Sequence, residues 1–330
     1  MPNILVIKPS SFGDIIHGLQ VAETIRRRVP GARIGWVAAT AFAPLVRVCD
    51  TVDEVFEFRR RGGLRPFWSL IIHLRRSYFD YVLDMQGLAR SATIARLVRG
   101  KVKVGRRDSR EGARLFCPRT VALPLGGLPA HAVEVLLQFA VVFGLEPRIE
   151  GRVSFSRAPK PRDPAIAGSE STRVGTLVFF PESRRPEKNW PGFAELAAKV
   201  LREQPDARVI WSGRPPPEDR KAFPVDRFVN AHNRIPLDEL PAVFEMADWV
   251  ISNDSGPIHL AAAMDVRALG VFGPTDPVRF GPWPPGSDRH RVVRAPDGDL
   301  RKLPVATVAE TLLAAGLCDE RRSTRAQSRV

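Results

Sequence analysis

The chain predicts an α/β protein built from two doubly wound, parallel-sheet domains facing a cleft, and three observations lead there. Short apolar runs alternate with helix-forming segments along most of the 330 residues. The alternation breaks once, at Arg157-Ala-Pro-Lys-Pro-Arg-Asp-Pro164 and Gly168-Ser-Glu-Ser-Thr172, which are polar and proline-rich with no apolar period. Strand ends also run straight into turn-and-cap residues that open helices, most clearly at Asp248-Trp-Val-Ile-Ser-Asn-Asp-Ser-Gly-Pro-Ile-His259.

Before the break, strands are expected at Ile4–Lys8, Arg33–Ala38, Val52–Phe58, Tyr81–Asp84 and Val102–Val104. Helices are expected at Ile15–Arg28, Phe67–Arg76, Ala89–Val98 and His131–Phe143. After it, strands fall at Val174–Phe180, Arg208–Trp211, Phe228–Val229, Trp249–Ser252 and Ala268–Phe272. Helices follow at Phe193–Glu203, Leu237–Met246, Ile258–Met264 and Val305–Ala315. The implied division is a first domain over residues 1–155, a linker over 156–172 and a second domain over 173–318. The last helix is free to pack back on the first domain, and 319–330, small and charged, reads as a disordered tail.

Composition narrows the class. Hydrophobic residues make up 44% of the chain, and no run reaches the roughly 18 apolar residues a bilayer crossing needs. The start, Met-Pro-Asn-Ile-Leu-Val, enters a strand without a leader-like segment. Cys49, Cys117 and Cys318 are too few and scattered for a disulfide framework or a zinc site, so the cytoplasm is expected. The formal net charge is +14 and it is unevenly spread: residues 59–119 hold 16 basic and 4 acidic side chains. Such a surface calls for an anionic partner: nucleic acid, a membrane face or a polyanionic substrate.

The chemistry-bearing turns come next. At Asp254-Ser-Gly-Pro-Ile-His259 a strand becomes a helix whose free N–H groups and dipole converge on one point, a receptor for phosphate that His259 can also face. Ile7-Lys-Pro-Ser-Ser-Phe-Gly-Asp14 places a carboxylate at a helix entrance, where it serves either as an N-cap or as a general base. Lys188, after a basic loop with Arg184 and Arg185, suits phosphate neutralisation. Glu218 offers acceptors to a ribose or base edge, and Thr275, in Gly273-Pro-Thr-Asp276, lies on a turn after the next strand. Neither G-x-G-x-x-G nor a P-loop occurs. The histidines show no ligand spacing and Asp297-Gly-Asp299 reads as a solvated turn, so no metal and no cofactor are expected.

Five segments in order, Ile-Lys-Pro-Ser-Ser-Phe-Gly-Asp14, Asp84-Met-Gln-Gly-Leu88, Lys188-Asn-Trp-Pro191, Ser252-Asn-Asp-Ser-Gly-Pro-Ile-His259 and Gly273-Pro-Thr-Asp276, resemble glycosyltransferase family 9, the lipopolysaccharide heptosyltransferases. The resemblance implies a GT-B fold and inverting, metal-independent transfer from ADP-L-glycero-β-D-manno-heptose to the acidic inner core on lipid A. It makes Asp14 the catalytic base. Ser183, Arg184, Lys188, Glu218, Asp254, Ser255, Gly256, His259 and Thr275 would hold the donor. Ser11, Gly13, Arg59, Arg60, Arg61, Arg65, Gln86, Arg107 and Arg110 would hold the acceptor. Placement at the cytoplasmic face of the inner membrane follows, with no nucleic acid as partner. Pro181-Glu-Ser-Arg184 departs from the family by putting Glu182 where small or hydroxylated residues are usual, while Arg59 to Trp68 and Asn-Asp-Ser-Gly-Pro lean to a type I-like enzyme. Two alternatives stand beside it: a GT-B transferase or epimerase using another nucleotide sugar, and a basic nucleic-acid-binding protein. Against the latter, the basic block has few stacking aromatics.

Overall fold

A computed structural model describes residues 1–168, 175–213, 215, 223–224 and 226–317. These fall into two compact units that divide between Ala158 and Pro159.

The first unit runs β1 (Asn3–Ile7), α1 (Phe12–Arg28), β2 (Arg33–Ala39), α2 (Ala43–Arg47), β3 (Glu54–Phe58), α3 (Leu64–Leu74), β4 (Phe79–Asp84), α4 (Ala89–Leu97), β5 (Gly100–Arg106), β6 (Thr120–Val121) and α5 (Ala132–Leu137). A 3₁₀ segment, Gln138–Phe143, continues from α5. Its sheet has the order β3-β2-β1-β4-β5-β6, with every pairing parallel. Helices cover both faces of a parallel sheet, so a central strand is apolar throughout. Ile4, Leu5, Val6 and Ile7 of β1 are accordingly all buried.

The second unit runs α6 (Pro164–Ala167), β7 (Gly175–Phe180), α7 (Phe193–Glu203), β8 (Ala207–Trp211), β9 (Phe228–Asn230), α8 (Leu240–Met246), β10 (Trp249–Asn253), α9 (Gly256–Ala263), β11 (Ala268–Phe272), α10 (Pro277–Phe280), β12 (His290–Arg294) and α11 (Val305–Ala314). Read from one edge, its parallel sheet is β9-β8-β7-β10-β11-β12, which repeats the order of the first. Helix α7 shows why this sequence folds locally. Phe193, Leu196, Ala197, Val200 and Leu201 recur at helical spacing and are buried against the sheet, while Lys199 and Glu203 pair on the outer side. Each large apolar side chain so buried contributes about 1.5–3 kcal/mol, and Leu196→Asp would break the packing. Val308, Ala309 and Leu312 of α11 belong to the same core.

In both sheets the strand order reverses beside the first strand, between β1 and β4 and between β7 and β10. Ligands of doubly wound sheets bind beyond the carboxyl ends of strands at that point, because the helices on either side diverge there. The polar motifs of the chain sit at these two places. Several elements differ from expectation. α1 begins at Phe12, ahead of Ile15, and α3 spans Leu64–Leu74, ahead of Phe67–Arg76. The helix expected over 131–143 is split into α5 and a 3₁₀ stretch. α2, β6 and β12 were not expected at all.

Candidate active site

The first unit builds its turn around a buried lysine. Lys8 follows the four buried residues of β1, and its side chain is 1% exposed. Its Nζ lies 3.4 Å from Oδ1 of Asp14, a carboxylate that is 45% exposed. Ser11, not Asp14, is the N-cap of α1. Asp14 occupies the third helical position, and its Oδ2 accepts from Ser11 N at 3.1 Å and from Ser11 Oγ at 2.6 Å. Partial burial pushes the Asp14 pKa up, but Lys8 and the two Ser11 hydrogen bonds outweigh it. The net result is a carboxyl well below the usual range, ionised at any working pH.

Asp84 ends β4 and is 1% exposed. Its Oδ1 accepts from Gln86 N at 3.1 Å and Gly87 N at 3.0 Å, yet burial still raises its pKa. The turn it holds presents Gln86, whose Oε1 accepts from Ser10 N at 3.4 Å and whose N–H donates to Ile7 O at 3.1 Å. Gly87 is needed there: its φ is +68°, and a Cβ would come within 3.1 Å of Arg106. Burial lowers the Lys8 pKa and Arg106 adds to that, while Asp14 and Asp84 oppose it. Arg106 is itself held by Asp108 at 2.6 Å.

Of the expected acceptor cations, one is tied by its backbone to this turn and another to α4. Arg110 N donates to Gly87 O at 2.9 Å, which seats the 107–110 loop on the Gln86 turn. Arg60 O accepts from Arg90 Nη1 at 3.0 Å, tying the β3–α3 loop to α4. The side chains of Arg59, Arg60, Arg61, Arg65, Arg107 and Arg110 are exposed, and among the described residues none forms an ion pair. Gly13 lies beside Asp14 in the first turn of α1.

In the second unit, β7 ends at Phe180 and the loop turns through a 3₁₀ segment, Pro186–Lys188. Ser183 N donates to Asn189 Oδ1 at 2.6 Å, closing the loop on itself. Lys188 Nζ stands 2.5 Å from Asp254 Oδ2, both side chains largely buried. Asn253, fully buried, accepts from Trp190 N at 3.0 Å through Oδ1. Its Nδ2 is buried with no partner among the described residues. The loops after β7 and β10 are thus stitched together by two polar pairs across adjacent strands.

Ser255 is the N-cap of α9, and its Oγ lies 3.0 Å from Ser252 Oγ. Gly256 and Pro257 open the helix; Pro257 brings no N–H and Ile258 N donates to Ser255 O at 3.3 Å, which leaves the Gly256 N–H at the helix mouth. His259 is buried one turn in. Thr275 is half-buried in the turn after β11, the neighbour of β10, and Asp276 caps α10 through Val278 N at 3.0 Å. Arg184 is exposed, while Arg185 pairs with Glu187 at 2.5 Å. Glu218 lies outside the described residues. Asp297 and Asp299 are taken up by Lys302 and Arg301.

Sequence reasoning missed Lys8, Asp84, Arg106 and Asn253 as site residues. A signal existed for the first: a lysine directly after a run of four apolar residues must either leave the strand or be buried with partners.

Two doubly wound units in tandem, each repeating the strand order of the other, make the two-unit architecture of GT-B proteins. The sequence model of glycosyltransferase family 9 (heptosyltransferase) matches residues 67–304, and the chain belongs to that family. It is 28% identical over 327 residues to lipopolysaccharide heptosyltransferase 1 of Escherichia coli (strain K12), covering 94% of this chain and 98% of that protein. Among solved structures it resembles E. coli heptosyltransferase WaaC with ADP, with TM-score 0.77, 24% identity, and 95% and 100% of the two chains covered. It also resembles the same enzyme with ADP-2-deoxy-2-fluoro heptose, with TM-score 0.74, 25% identity, and 94% and 98% covered.

Proposed function

We propose that this chain transfers L-glycero-D-manno-heptose from ADP-heptose to the acidic octulosonate sugar of the lipid A-linked inner core, with inversion and without a metal ion, at the cytoplasmic face of the inner membrane. The names of its relatives supply the substrate class: one is a lipopolysaccharide heptosyltransferase, and another binds an ADP-heptose analogue. The observation that carries the chemistry is the Asp14 carboxylate, half-exposed and held ionised by Lys8 and Ser11.

Inversion in one displacement needs a base for the acceptor hydroxyl and charge stabilisation for the leaving diphosphate. Asp14 is a weak base in the resting state. That suffices, because the acceptor oxygen becomes far more acidic than any carboxylic acid as its bond to the anomeric carbon forms. Its proton then passes to Asp14, and the C–O bond to the diphosphate breaks with the electron pair leaving on ADP. Lys188 and the N-terminal end of α9, with its Gly256 N–H, supply positive charge for the departing phosphates. Asp254, already paired with Lys188, is suited to accept hydrogen bonds from sugar hydroxyls rather than to meet phosphate. Ser183, Ser255, Gly256, His259 and Thr275 complete the donor half. Ser11, Gly13, Gln86 and the exposed arginines form the acceptor half.

A donor screen by thermal shift tests the substrate reading, since a ligand that binds only the folded state raises apparent stability. ADP-heptose is expected to stabilise and UDP-sugars are not. Stabilisation by a UDP-sugar alone would point instead to another nucleotide sugar.

A further inference from the structure

Helix α3 is apolar on more than one side. Leu70, Ile71 and Leu74 enter the first unit's core. Leu64, Trp68 and Ile72, spaced four residues apart along the solvent-facing side that adjoins this core face, are 76%, 50% and 59% exposed. A helix apolar on this much of its circumference is ordinarily buried, so the outer ridge calls for a partner.

The charge around the ridge has one sign. Residues 59–79 contain six arginines and no Asp or Glu. All six are exposed, and among the described residues none forms an ion pair. Arg75 Nη1 donates to Leu97 O at 2.8 Å, bringing a further cation cluster alongside. There burial, with Arg96 and Arg75 nearby, holds the Lys103 pKa below its usual value. A second copy of the chain on this face would set arginine against arginine with no carboxylate between. An anionic bilayer satisfies both features at once: tryptophan settles at the headgroup level, the aliphatic ridge enters the acyl boundary and the guanidinium groups meet lipid phosphates.

We propose that the outer face of α3 is the membrane-docking surface of this enzyme, with Trp68 and Ile72 inserted and the flanking arginines on anionic headgroups. This rests on the proposed function, whose acceptor is lipid-linked, and names the surface that brings the enzyme to it.

The test is co-sedimentation with phosphatidylcholine vesicles with and without phosphatidylglycerol, using the full-length wild type, Trp68→Gln/Ile72→Gln and, independently, Arg76→Glu. The wild type is expected to bind only the phosphatidylglycerol vesicles, and less as salt rises. The double variant is expected to lose about tenfold or more in partitioning, and Arg76→Glu several-fold, while both turn over a water-soluble, deacylated acceptor at about the wild-type rate. Undiminished vesicle binding by both variants would overturn the proposal, as would equal wild-type binding to neutral vesicles. A wild-type dimer in light scattering that the double variant dissolves would assign the face to self-association instead. Failure of the wild type to use the deacylated acceptor would count against the proposed function and leave the vesicle result to stand alone.

Discussion

Lys8 and Asp14 stand six residues apart on either side of a turn and meet at 3.4 Å, the lysine buried and the carboxylate open to solvent. The ammonium cannot easily reach water, so Asp14 is its route to charge compensation on the solvent side, and Asp84 serves on the core side. The carboxylate gains a fixed position, with Ser11 holding its second oxygen at 2.6 Å.

Lys8→Met therefore moves the acidic limb of the kcat profile. Activity needs Asp14 ionised, and its folded pKa is depressed, so the wild-type rate falls only well below the ordinary carboxylate range. Removing the cation takes away the charge that lowers the Asp14 pKa, so that pKa rises and the limb moves up in pH. The stabilisation given by ionised Asp14 has the same sign. It is present above the unfolded pKa and is lost as pH falls through the folded value. An unmoved limb would mean that Lys8 has no hold on Asp14.

Lys188→Ala removes the cation held against Asp254 just before α9 and leaves that largely buried carboxylate without its ion pair. A charge-assisted contact of this kind is worth about 1.5–3 kcal/mol, so the ADP Kd by calorimetry is expected to rise roughly 10–100-fold. Lys188→Arg is expected to recover only part of this, since the fork does not reproduce a compact ammonium. An unchanged Kd in Lys188→Ala would remove the lysine from the donor half.

Asn253→Ala tests the stitch between the β7 and β10 loops. It strands the Trp190 N–H, which donates to Asn253 Oδ1 at 3.0 Å in a fully buried setting. The expected loss is about 1–3 kcal/mol of unfolding free energy by denaturant titration. Wild-type stability would show that water or another group replaces the acceptor.

Much of the architecture was legible because the cores are strongly patterned. α7 and β11 fall where expected, at Phe193–Glu203 and Ala268–Phe272, since apolar spacing there matches one period unambiguously. β12 was not legible: His-Arg-Val-Val-Arg is an edge strand between turn-rich segments, with only two apolar residues and one buried valine. β6, two residues long at the corresponding edge of the first sheet, carries no period at all. α3 starts earlier than Phe67 because its cap is Gly63, with φ of +70°, and not the edge of the apolar run.

The site was legible as motifs and not as contacts. Asp14 stood out as a carboxylate at a helix entrance, but whether it or Ser11 capped the helix depends on where α1 begins, three residues earlier than its apolar period suggests. Lys8 was passed over because lysine is the residue least expected in a core. Asp254 was identifiable as part of a phosphate-type turn, yet its ion pair with Lys188 joins residues 66 positions apart and has no local signature.

The most direct test of the central claim is single-turnover transfer by Asp14→Asn, with ADP-heptose binding measured on the same protein by calorimetry. The amide keeps the size of the side chain and can still accept from Ser11, but it cannot take up the acceptor proton. Transfer is predicted to fall by about 10²–10⁴-fold while the donor Kd stays within about twofold. Wild-type-like transfer with intact donor binding would contradict the assignment of Asp14 as the base.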